Sequence, residues 1–143
     1  MRILILNGPN LNLLGTRDSQ HYGDLSINKL EEILKKEFPK NQFTFYQSNI
    51  EGELIDRIQI SGKEFDALII NPGGYAHSSV AIRDALAEVS LLKIEVHLSH
   101  LAKREDFRQK LITATACDGY ISGFKEYSYL AAIYLIEKNY YKQ

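Results

Sequence analysis

Short apolar runs alternate along this chain with longer segments whose apolar residues recur at helical spacing. The apolar and alternating runs predict strands over residues 3–6, 42–47, 65–70, 93–98 and 120–121, the last with an alternative end at residue 124. The helical spacing predicts helices over residues 25–38, 51–60, 78–89, 104–111 and 127–138. When strands and helices alternate in this way, crossover connections make the sheet parallel and place helices over both of its faces. The alternation therefore predicts an α/β fold.

Five predicted strands in one short chain favour a particular version of this fold. The expected arrangement is a flavodoxin-like three-layer sandwich with a five-stranded parallel sheet of order 2-1-3-4-5. Local signals set the helix boundaries: Ser26 is suited to cap the first helix, and Pro39 ends it. Gly62 is predicted to end the second helix, and Ser78 or Ser79 is predicted to cap the third.

The composition narrows the class of protein. The 143 residues, of which 45% are hydrophobic and 24% charged, are expected to form one soluble domain spanning 1–143. The formal net charge of -1 argues against nucleic acid as a partner. No apolar run is long enough to span a bilayer, and the N-terminal run is too short for a secretory signal. Cys117 is the only cysteine, which excludes an intramolecular disulfide and fits a reducing compartment. From these features together we expect a cytoplasmic protein without a membrane partner.

Polar side chains follow three of the predicted strands at their carboxyl ends. They are Asn10, Asn12, Arg17 and Tyr22 after the first strand, Asn71, Tyr75 and His77 after the third, and Glu95, His97 and Ser99 at the end of the fourth. In the order 2-1-3-4-5 these strands are neighbours, so their ends converge on one crevice, where open α/β sheets bind ligands. Taken singly, most of these residues also have a structural interpretation. Asparagines commonly fix turns, Arg17 and Tyr22 fit a surface loop, and His77 fits a helix cap.

His97 has the strongest functional signal. A histidine inside the apolar run of a central strand is costly unless it has a partner. Glu95 lies two residues earlier, so both side chains project from the same face of the strand. A carboxylate beside an imidazole favours the protonated imidazole and so suits a general acid, but a purely structural pair has the same spacing. Arg104 and Arg108, one helical turn apart, indicate either a solvated helix face or a clamp for an anion or hydroxyl.

Motifs of several other classes are absent from the sequence. No Gly-x-Gly-x-x-Gly or Walker lysine follows the first strand, no Cys/His pattern matches a zinc site, and Ser122-Gly123 is not a nucleophile elbow. Two alternative classes lack support in the sequence. A flavin- or nucleotide-binding module would need a phosphate-binding loop after the first strand, and a receiver-like signalling domain would need clustered acidic residues at the strand ends. Phenol, guanidinium, imidazole and amide groups suit proton transfer next to a carbonyl group, without a metal or a covalent intermediate.

Long ordered motifs carry a resemblance to a known family. They cover residues 7–17, 22–23, 47–49, 51–53, 71–79, 83–86, 95–99 and 104–108, and include Asn-Gly-Pro-Asn-Leu-Asn-Leu-Leu-Gly-Thr-Arg, Asn-Pro-Gly-Gly-Tyr-Ala-His-Ser-Ser and Glu-Val-His-Leu-Ser. On these motifs the chain resembles the type II 3-dehydroquinate dehydratases over nearly its whole length. The resemblance implies a flavodoxin-like subunit that dehydrates 3-dehydroquinate to 3-dehydroshikimate, by anti elimination through an enolate, in the shikimate or quinate pathway.

The resemblance also implies a role for individual residues. Tyr22 is implied to be the general base, with Arg17 stabilising its phenolate, and His97 the general acid, with Glu95 as its orienting partner. An unperturbed tyrosine has a pKa near about 10, so a base of this kind needs a nearby cation. Asn10 is implied to hold a water near the enolate oxygen. The substrate hydroxyls are implied to be bound by Asn71, His77 and Arg108, and the substrate carboxylate by Leu98 and Ser99. Asp84 is implied to reach into the active site of a neighbouring subunit.

Further implications of the resemblance concern partners and mobile parts. It implies no metal, no cofactor and no Schiff-base lysine, and a homo-oligomer that is a dodecamer built as a tetramer of trimers. Residues 17–24 resemble the lid of the family, with Gly15 and Gly23 at its ends. The segment 123–129 and the aromatic tail 139–143 depart from the family pattern, and we expect them to lie away from the chemistry.

Overall fold

The computed structural model describes residues 1–16 and 24–140. The strands in these ranges are β1 (Arg2–Asn7), β2 (Gln42–Gln47), β3 (Ala67–Asn71), β4 (Leu92–His97) and β5 (Gly119–Ser122). The α-helices are α1 (Ile27–Glu37), α2 (Glu51–Glu64), α3 (Val80–Glu88) and α4 (Tyr127–Tyr140). None of the helices described is both long and apolar enough to cross a membrane.

The strands pair in parallel in one sheet of order β2-β1-β3-β4-β5, which confirms the predicted flavodoxin-like topology. The register places Asn7 beside Asn71, and Ile70 beside Glu95. Because β1, β3 and β4 are neighbours, their polar carboxyl ends meet at the same edge of the sheet. The strand order is therefore what brings residues from distant parts of the sequence together.

The two faces of the sheet have separate apolar cores, because successive side chains of a strand point to opposite faces. On one side, here named the α1/α4 face, Ile5, Ile69 and Val96 pack against α1 and α4. On the other side, here named the α2/α3 face, Leu6 and Ile70 pack against α2 and α3. Helices therefore cover both faces, as the crossover connections require.

Hydrogen bonds at the helix ends test the boundaries that the sequence predicts. Ser26 Oγ accepts from the N–H of Lys29 over 3.1 Å, and Ser79 Oγ accepts from the N–H of Ile82 over 2.9 Å, so both serine caps are confirmed. The predicted end at Gly62 is wrong, because α2 continues to Glu64. A glycine inside a helix costs only about 1 kcal/mol, and the helical bonding continues past this one, since the N–H of Phe65 donates to the carbonyl oxygen of Ser61 over 2.9 Å.

The predicted helix over residues 104–111 is also wrong. The structure has two short 3-10 turns in this region, Leu101–Lys103 and Asp106–Gln109. The side chain of Gln109 donates to the carbonyl oxygens of Leu101 and Arg104, over 2.8 and 3.3 Å. These bonds tie the end of the segment back to its start, so the chain curls over the end of β4 and does not extend as a helix.

Candidate active site

A crevice lies at the carboxyl edge of the sheet, next to the ends of β1, β3 and β4. Among the residues that line it are eight that the sequence singled out: Asn10, Asn71, His77, His97, Leu98, Ser99, Arg104 and Arg108. Pro9 and Gly73 line it as well. The structure thus brings together side chains from all three strand ends, at the place where the strand order predicts convergence.

The loops that follow β1 and β3 contact each other closely through two glycines. A Cβ atom on Gly8 would lie 2.4 Å from the carbonyl oxygen of Pro72, and one on Gly73 would lie 2.9 Å from that of Pro9. Gly73 also has a φ of 60°, in the left-handed region. Only glycine fits at these positions without a backbone shift, so the two loops form one continuous wall of the crevice.

Asn10 is held at this wall by the loop that follows β2. It has a left-handed backbone, with a φ of 68°, which asparagine tolerates better than most residues. Its N–H donates to Oδ1 of Asn49 over 2.9 Å. The side chain of Gln47 donates to the same Oδ1 and to the carbonyl oxygen of Gly8, over 3.1 and 3.2 Å. The conformation of Asn10 therefore depends on residues 47–49.

His97 and Glu95 form a buried pair at the end of β4. Nε2 of His97 lies 2.6 Å from Oε1 of Glu95, and the two side chains are 6% and 0% exposed. Both project onto the α2/α3 face, because Ile94 and Val96, which alternate with them, pack on the α1/α4 face. The two-residue spacing that suggested a pair in the sequence corresponds to direct contact in the structure.

Thr113 is a second partner of Glu95, and nothing in the sequence pattern points to it. Its buried hydroxyl donates to Oε2 of Glu95 over 2.6 Å. Thr113 begins a short 3-10 turn, Thr113–Ala116, in the connection between β4 and β5. A threonine in an irregular connection belongs to no motif, so only the tertiary structure identifies this contact.

His77 lies across the crevice from His97 with its ring nearly parallel. The ring centroids are 6.3 Å apart, and Nδ1 of His77 donates to the carbonyl oxygen of Lys110 over 2.8 Å. Burial lowers the pKa of His77, and the hydrogen bond to Lys110 opposes this shift only in part. His77 is therefore a neutral group near pH 7, and its Nε2 can accept a hydrogen bond.

Arg104 and Arg108 bring positive charge to the crevice. Nη1 of Arg104 donates to Oγ of Ser99 over 3.2 Å, and the side chain of Arg104 is only 9% exposed. Nε of Arg108 donates to Glu105 over 2.8 Å. A backbone hydrogen bond and the Arg108 and Arg104 guanidiniums lower the pKa of Glu105. Both arginines line the crevice, so the alternative of a solvated helix face is wrong.

Asn71 is held from behind by a buried tyrosine that the sequence did not single out. Nδ2 of Asn71 donates to the hydroxyl of Tyr129 over 3.1 Å, and that hydroxyl donates to Oδ1 of Asn7 over 2.7 Å. Oδ1 of Asn71 accepts from the N–H of Gly73 over 3.2 Å. Burial raises the pKa of Tyr129 far above the physiological range, so this network of an amide, a phenol and a second amide is neutral.

The segment 123–129 contacts the site directly, so the expectation that it lies away from the chemistry is wrong. The N–H of Gly123 and the hydroxyl of Ser128 both donate to the carbonyl oxygen of His97, each over 3.2 Å. The N–H of Lys125 donates to the carbonyl oxygen of Leu98 over 3.0 Å. These bonds fix the backbone from His97 to Leu98, two residues that line the crevice.

Some of the residues singled out from the sequence do not line the crevice: among the described ones these are Asn12, Tyr75, Asp84 and Glu95, the last of which contacts the lining residue His97. Asp84 does not line it: this side chain is 63% exposed and pairs with Arg83 at 3.0 Å. Arg17 and Tyr22 lie outside the residues that the structure describes, as does the rest of the predicted lid up to residue 23.

The described residues show no arrangement typical of metal binding or of a reactive cysteine. Across residues 1–16 and 24–140, no group of three or more His, Cys, Asp and Glu side chains could hold a metal ion. Burial, reinforced by the charge of Glu95, raises the pKa of Cys117 to about 12. This residue is therefore a protonated thiol near pH 7 and a poor nucleophile.

The fold and the site together define an α/β protein of flavodoxin-like topology, with a polar crevice that contains imidazole, amide and guanidinium groups. The model of the family described as dehydroquinase class II matches residues 1–137. The chain belongs to this family, and the family prediction from the sequence is confirmed. Membership of this family argues against the two alternative interpretations, a flavin- or nucleotide-binding module and a receiver-like domain.

Individual relatives support the same assignment. The 3-dehydroquinate dehydratase of Carboxydothermus hydrogenoformans is 53% identical over 141 residues, which is 96% of this chain and 91% of that one. The 3-dehydroquinate dehydratase of Clostridium perfringens is 47% identical over 142 residues, which is 97% of each chain. The crystal structure of the type II dehydroquinase from Butyrivibrio crossotus has a TM-score of 0.93 at 42% identity, covering 96% of this chain and 97% of that one.

Proposed function

We propose that this protein dehydrates 3-dehydroquinate to 3-dehydroshikimate in the shikimate or quinate pathway, by anti elimination through an enolate. Its membership of the class II dehydroquinase family and the names of its relatives support the substrate. The observation that carries the mechanism is the buried pair of His97 and Glu95 at the crevice. This pair is suited to give a proton to a leaving group, and a solvent proton then restores His97 while Tyr22 releases to solvent the proton that it took from carbon.

In the first step, Tyr22 as a phenolate removes the proton from the carbon next to the ketone. The electron pair of that C–H bond forms the enolate, whose charge lies on the former ketone oxygen. Arg17 stabilises the phenolate, because a nearby cation favours the charged form of a tyrosine. Asn10, which lines the crevice, helps to hold a water that donates a hydrogen bond to the enolate oxygen.

In the second step, the enolate collapses, its electron pair forms the new carbon–carbon double bond, and the hydroxyl on the next carbon leaves. His97 protonates this hydroxyl, so that it departs as water. Glu95 accepts from Nε2–H of His97, which makes Nδ1 the nitrogen that delivers the proton to the leaving group. A proton on Nδ1 makes the ring cationic, and the Glu95 carboxylate stabilises that charge.

The other groups of the crevice bind the substrate. Leu98 and Ser99 bind its carboxylate through their backbone and the Ser99 hydroxyl, and Arg104, which donates to that hydroxyl, adds positive charge. His77, Asn71 and Arg108 bind the substrate hydroxyls. The neutral state of His77 supports this role, since Nε2 can accept from a hydroxyl when Nδ1 donates to Lys110.

We also propose that the reaction uses neither a metal nor a cofactor nor a Schiff base, within a single catalytic domain in the cytoplasm. The active form is a dodecamer of four trimers, in which Asp84 enters the site of a neighbouring subunit. The exposed position of Asp84, away from the crevice of its own chain, supports a role across an interface. The chemistry of the groups in the site, which transfer protons and polarise a carbonyl, supports a reaction without a metal.

The activity is tested by adding 3-dehydroquinate to the purified protein and following the absorbance of the conjugated enone product. We expect turnover that a chelator leaves unchanged and that borohydride, added with substrate, does not abolish. Loss of activity with the chelator would contradict the metal-free mechanism, and inactivation by borohydride would indicate a Schiff base. Absence of product at any enzyme concentration would refute the proposed substrate.

The base is tested by the Tyr22→Phe variant, which keeps the ring and removes the proton-accepting oxygen. We expect kcat to fall by at least about 100-fold, in the range of general-base contributions. Tyr134→Phe is the matched control, because Tyr134 is an exposed tyrosine of α4, 54% exposed, and we expect it to keep full activity. A Tyr22→Phe enzyme as fast as the parent would refute this role.

The assembly is tested by size-exclusion chromatography together with the Asp84→Asn variant. We expect the protein to elute as a dodecamer, and the variant to keep that size but lose kcat/KM. Asp56→Asn on the exposed side of α2 is the control. A fully active monomer would contradict a site that is shared between subunits.

A further inference from the structure

The short segment 110–113 supports both histidines of the crevice. The carbonyl oxygen of Lys110 accepts from Nδ1 of His77 over 2.8 Å. The N–H of Ile112 donates to the carbonyl oxygen of Ala76 over 2.7 Å, which fixes the backbone beside His77. The hydroxyl of Thr113 donates to Glu95, the partner of His97. One connection therefore holds the supports of both imidazole rings.

The contact between Thr113 and Glu95 is more than packing, because it satisfies a fully buried carboxylate. Glu95 and Thr113 are both 0% exposed. Oε1 of Glu95 is bonded to His97 and Oε2 to Thr113, each over 2.6 Å. A buried carboxylate that loses one of two such donors is left partly unsatisfied. The rotation of the Glu95 carboxylate is also defined only when both of its oxygens are bound.

We infer that Thr113 is a positioning residue of the reaction, which holds Glu95 as an ionised acceptor and thereby sets the tautomer and orientation of His97. The inference rests on the proposed role of His97 as the general acid. Thr113 does not line the crevice, so it acts through Glu95 and not by touching substrate.

The charge of Glu95 decides which nitrogen of His97 carries the hydrogen. An ionised carboxylate can only accept, so both of its partners must donate. A hydroxyl that donates to a carboxylate favours its charged form over the neutral acid. With Glu95 charged, the hydrogen of neutral His97 lies on Nε2, and Nδ1 is the nitrogen that exchanges a proton at the crevice. Without the Thr113 donor, the form with a neutral Glu95 competes: the pair takes up a solvent proton on Nδ1 of His97, and the hydrogen of Nε2 passes to Oε1 of Glu95.

The first test compares Thr113→Val, which has nearly the same shape but no hydroxyl, with Thr113→Ser, which keeps the hydroxyl. We expect Thr113→Val to lower kcat by about 10- to 100-fold, as for a lost hydrogen bond to a charged group, with little change in KM. We expect Thr113→Ser to restore kcat to within a few-fold of the parent, since the donor is present again.

Thr115→Val is the matched control, because Thr115 lies in the same 3-10 turn, is exposed, and donates only to the carbonyl oxygen of Ile112, over 2.7 Å. We expect it to keep the parental kcat. Parental kcat in Thr113→Val would overturn the inference. A Thr113→Ser enzyme as slow as Thr113→Val would overturn it too, because the hydroxyl would then not be what matters.

The second test is spectroscopic and does not depend on turnover. The chain has four histidines, so the ring nitrogen NMR signals of ¹⁵N-labelled protein can be assigned with single His→Asn variants. We expect the Nε2–H form of His97 in the parent and in Thr113→Ser, and a shift toward the Nδ1–H form in Thr113→Val. An Nδ1–H signal for His97 in the parent would overturn the inference even if Thr113→Val did not fold.

The two tests separate this inference from the proposed function. If the parent does not convert 3-dehydroquinate, the proposed function fails, and the tautomer of His97 still shows whether Thr113 sets it. If the parent is active and the Thr113 variants behave like the parent in both tests, the function stands and the inference fails.

Discussion

The carboxyl edge of the sheet has one buried polar network on each face, and the two differ in charge. On the α1/α4 face, Asn7, Tyr129 and Asn71 form a neutral network of amides and a phenol. On the α2/α3 face, His97 and Glu95 form a titratable pair that Thr113 completes. Both networks are buried at strand ends, and both reach the crevice through one residue, Asn71 in the first and His97 in the second.

The difference shows how one sheet can combine rigidity with proton transfer. A satisfied neutral network keeps the same protonation over the physiological pH range, so it serves to fix the ends of β1 and β3. A buried carboxylate and imidazole are costly to keep in a protein unless each is hydrogen-bonded. Unlike the amides and the phenol, these two groups can gain and lose protons, which catalysis requires. We therefore expect changes in the titratable network to alter catalysis most, and changes in the neutral network to alter stability most.

The largest effect is expected for Glu95→Gln, which preserves the shape of the side chain and removes its charge. The amide cannot stabilise a positive charge on His97, so kcat falls by about 100-fold or more, in the range of general-acid contributions. Steady-state kinetics measures this, with Glu64→Gln at an exposed position of α2 as the control. An unchanged kcat would show that the pair is structural, as its spacing also permits.

A smaller effect on activity, but a larger one on folding, is expected for Tyr129→Phe. Removing the hydroxyl leaves Oδ1 of Asn7 and Nδ2 of Asn71 without this buried partner. The free energy of unfolding should fall by about 1–3 kcal/mol, and KM should rise as Asn71 loses its orientation. Denaturant unfolding and kinetics measure the two effects, and Tyr134→Phe on the exposed side of the same helix is the control. If kcat of Tyr129→Phe fell more than that of Glu95→Gln, the division between the two networks would be wrong.

The smallest effect concerns how stability depends on pH. Burial lowers the pKa of His77 in the folded chain, so the unfolded chain binds its proton at a higher pH. Stability from this group is therefore complete above the ordinary histidine pKa of about 6.5 and is lost as the pH falls below it. We expect His77→Asn to lose stability less steeply than the parent below that pH. Tyr129→Phe should keep the parental slope, since the pKa of Tyr129 is raised and the group does not titrate there.

Denaturant unfolding at a series of pH values measures these slopes. Equal slopes for the parent and for His77→Asn would contradict a shifted histidine. A changed slope in Tyr129→Phe would show that the network of the α1/α4 face is coupled to a titrating group, and would remove the contrast between the faces.

The parts of the site that the sequence predicts are those with a regular period or a motif. The spacing of Glu95 and His97 predicts a shared strand face, and the strand order predicts that the loops with Asn10 and Asn71 meet the end of β4. The helix over residues 104–111 and the helix end at Gly62 are predicted wrongly. The side-chain bonds of Gln109 outweigh local preference in the first case, and the helical bonding of α2 continues past the glycine in the second. Thr113 and Tyr129 have no signal at all, since their partners lie far away along the chain.

The sequence by itself determines the alternation of strands and helices, the family, and the set of groups available for chemistry. These follow from periodic burial and from local motifs, which each stretch of chain carries on its own. The tertiary structure alone decides which face each polar network occupies and which distant donor completes each buried acceptor. The physical reason is that an unsatisfied polar group costs free energy only once it is buried, and burial is a property of the folded chain.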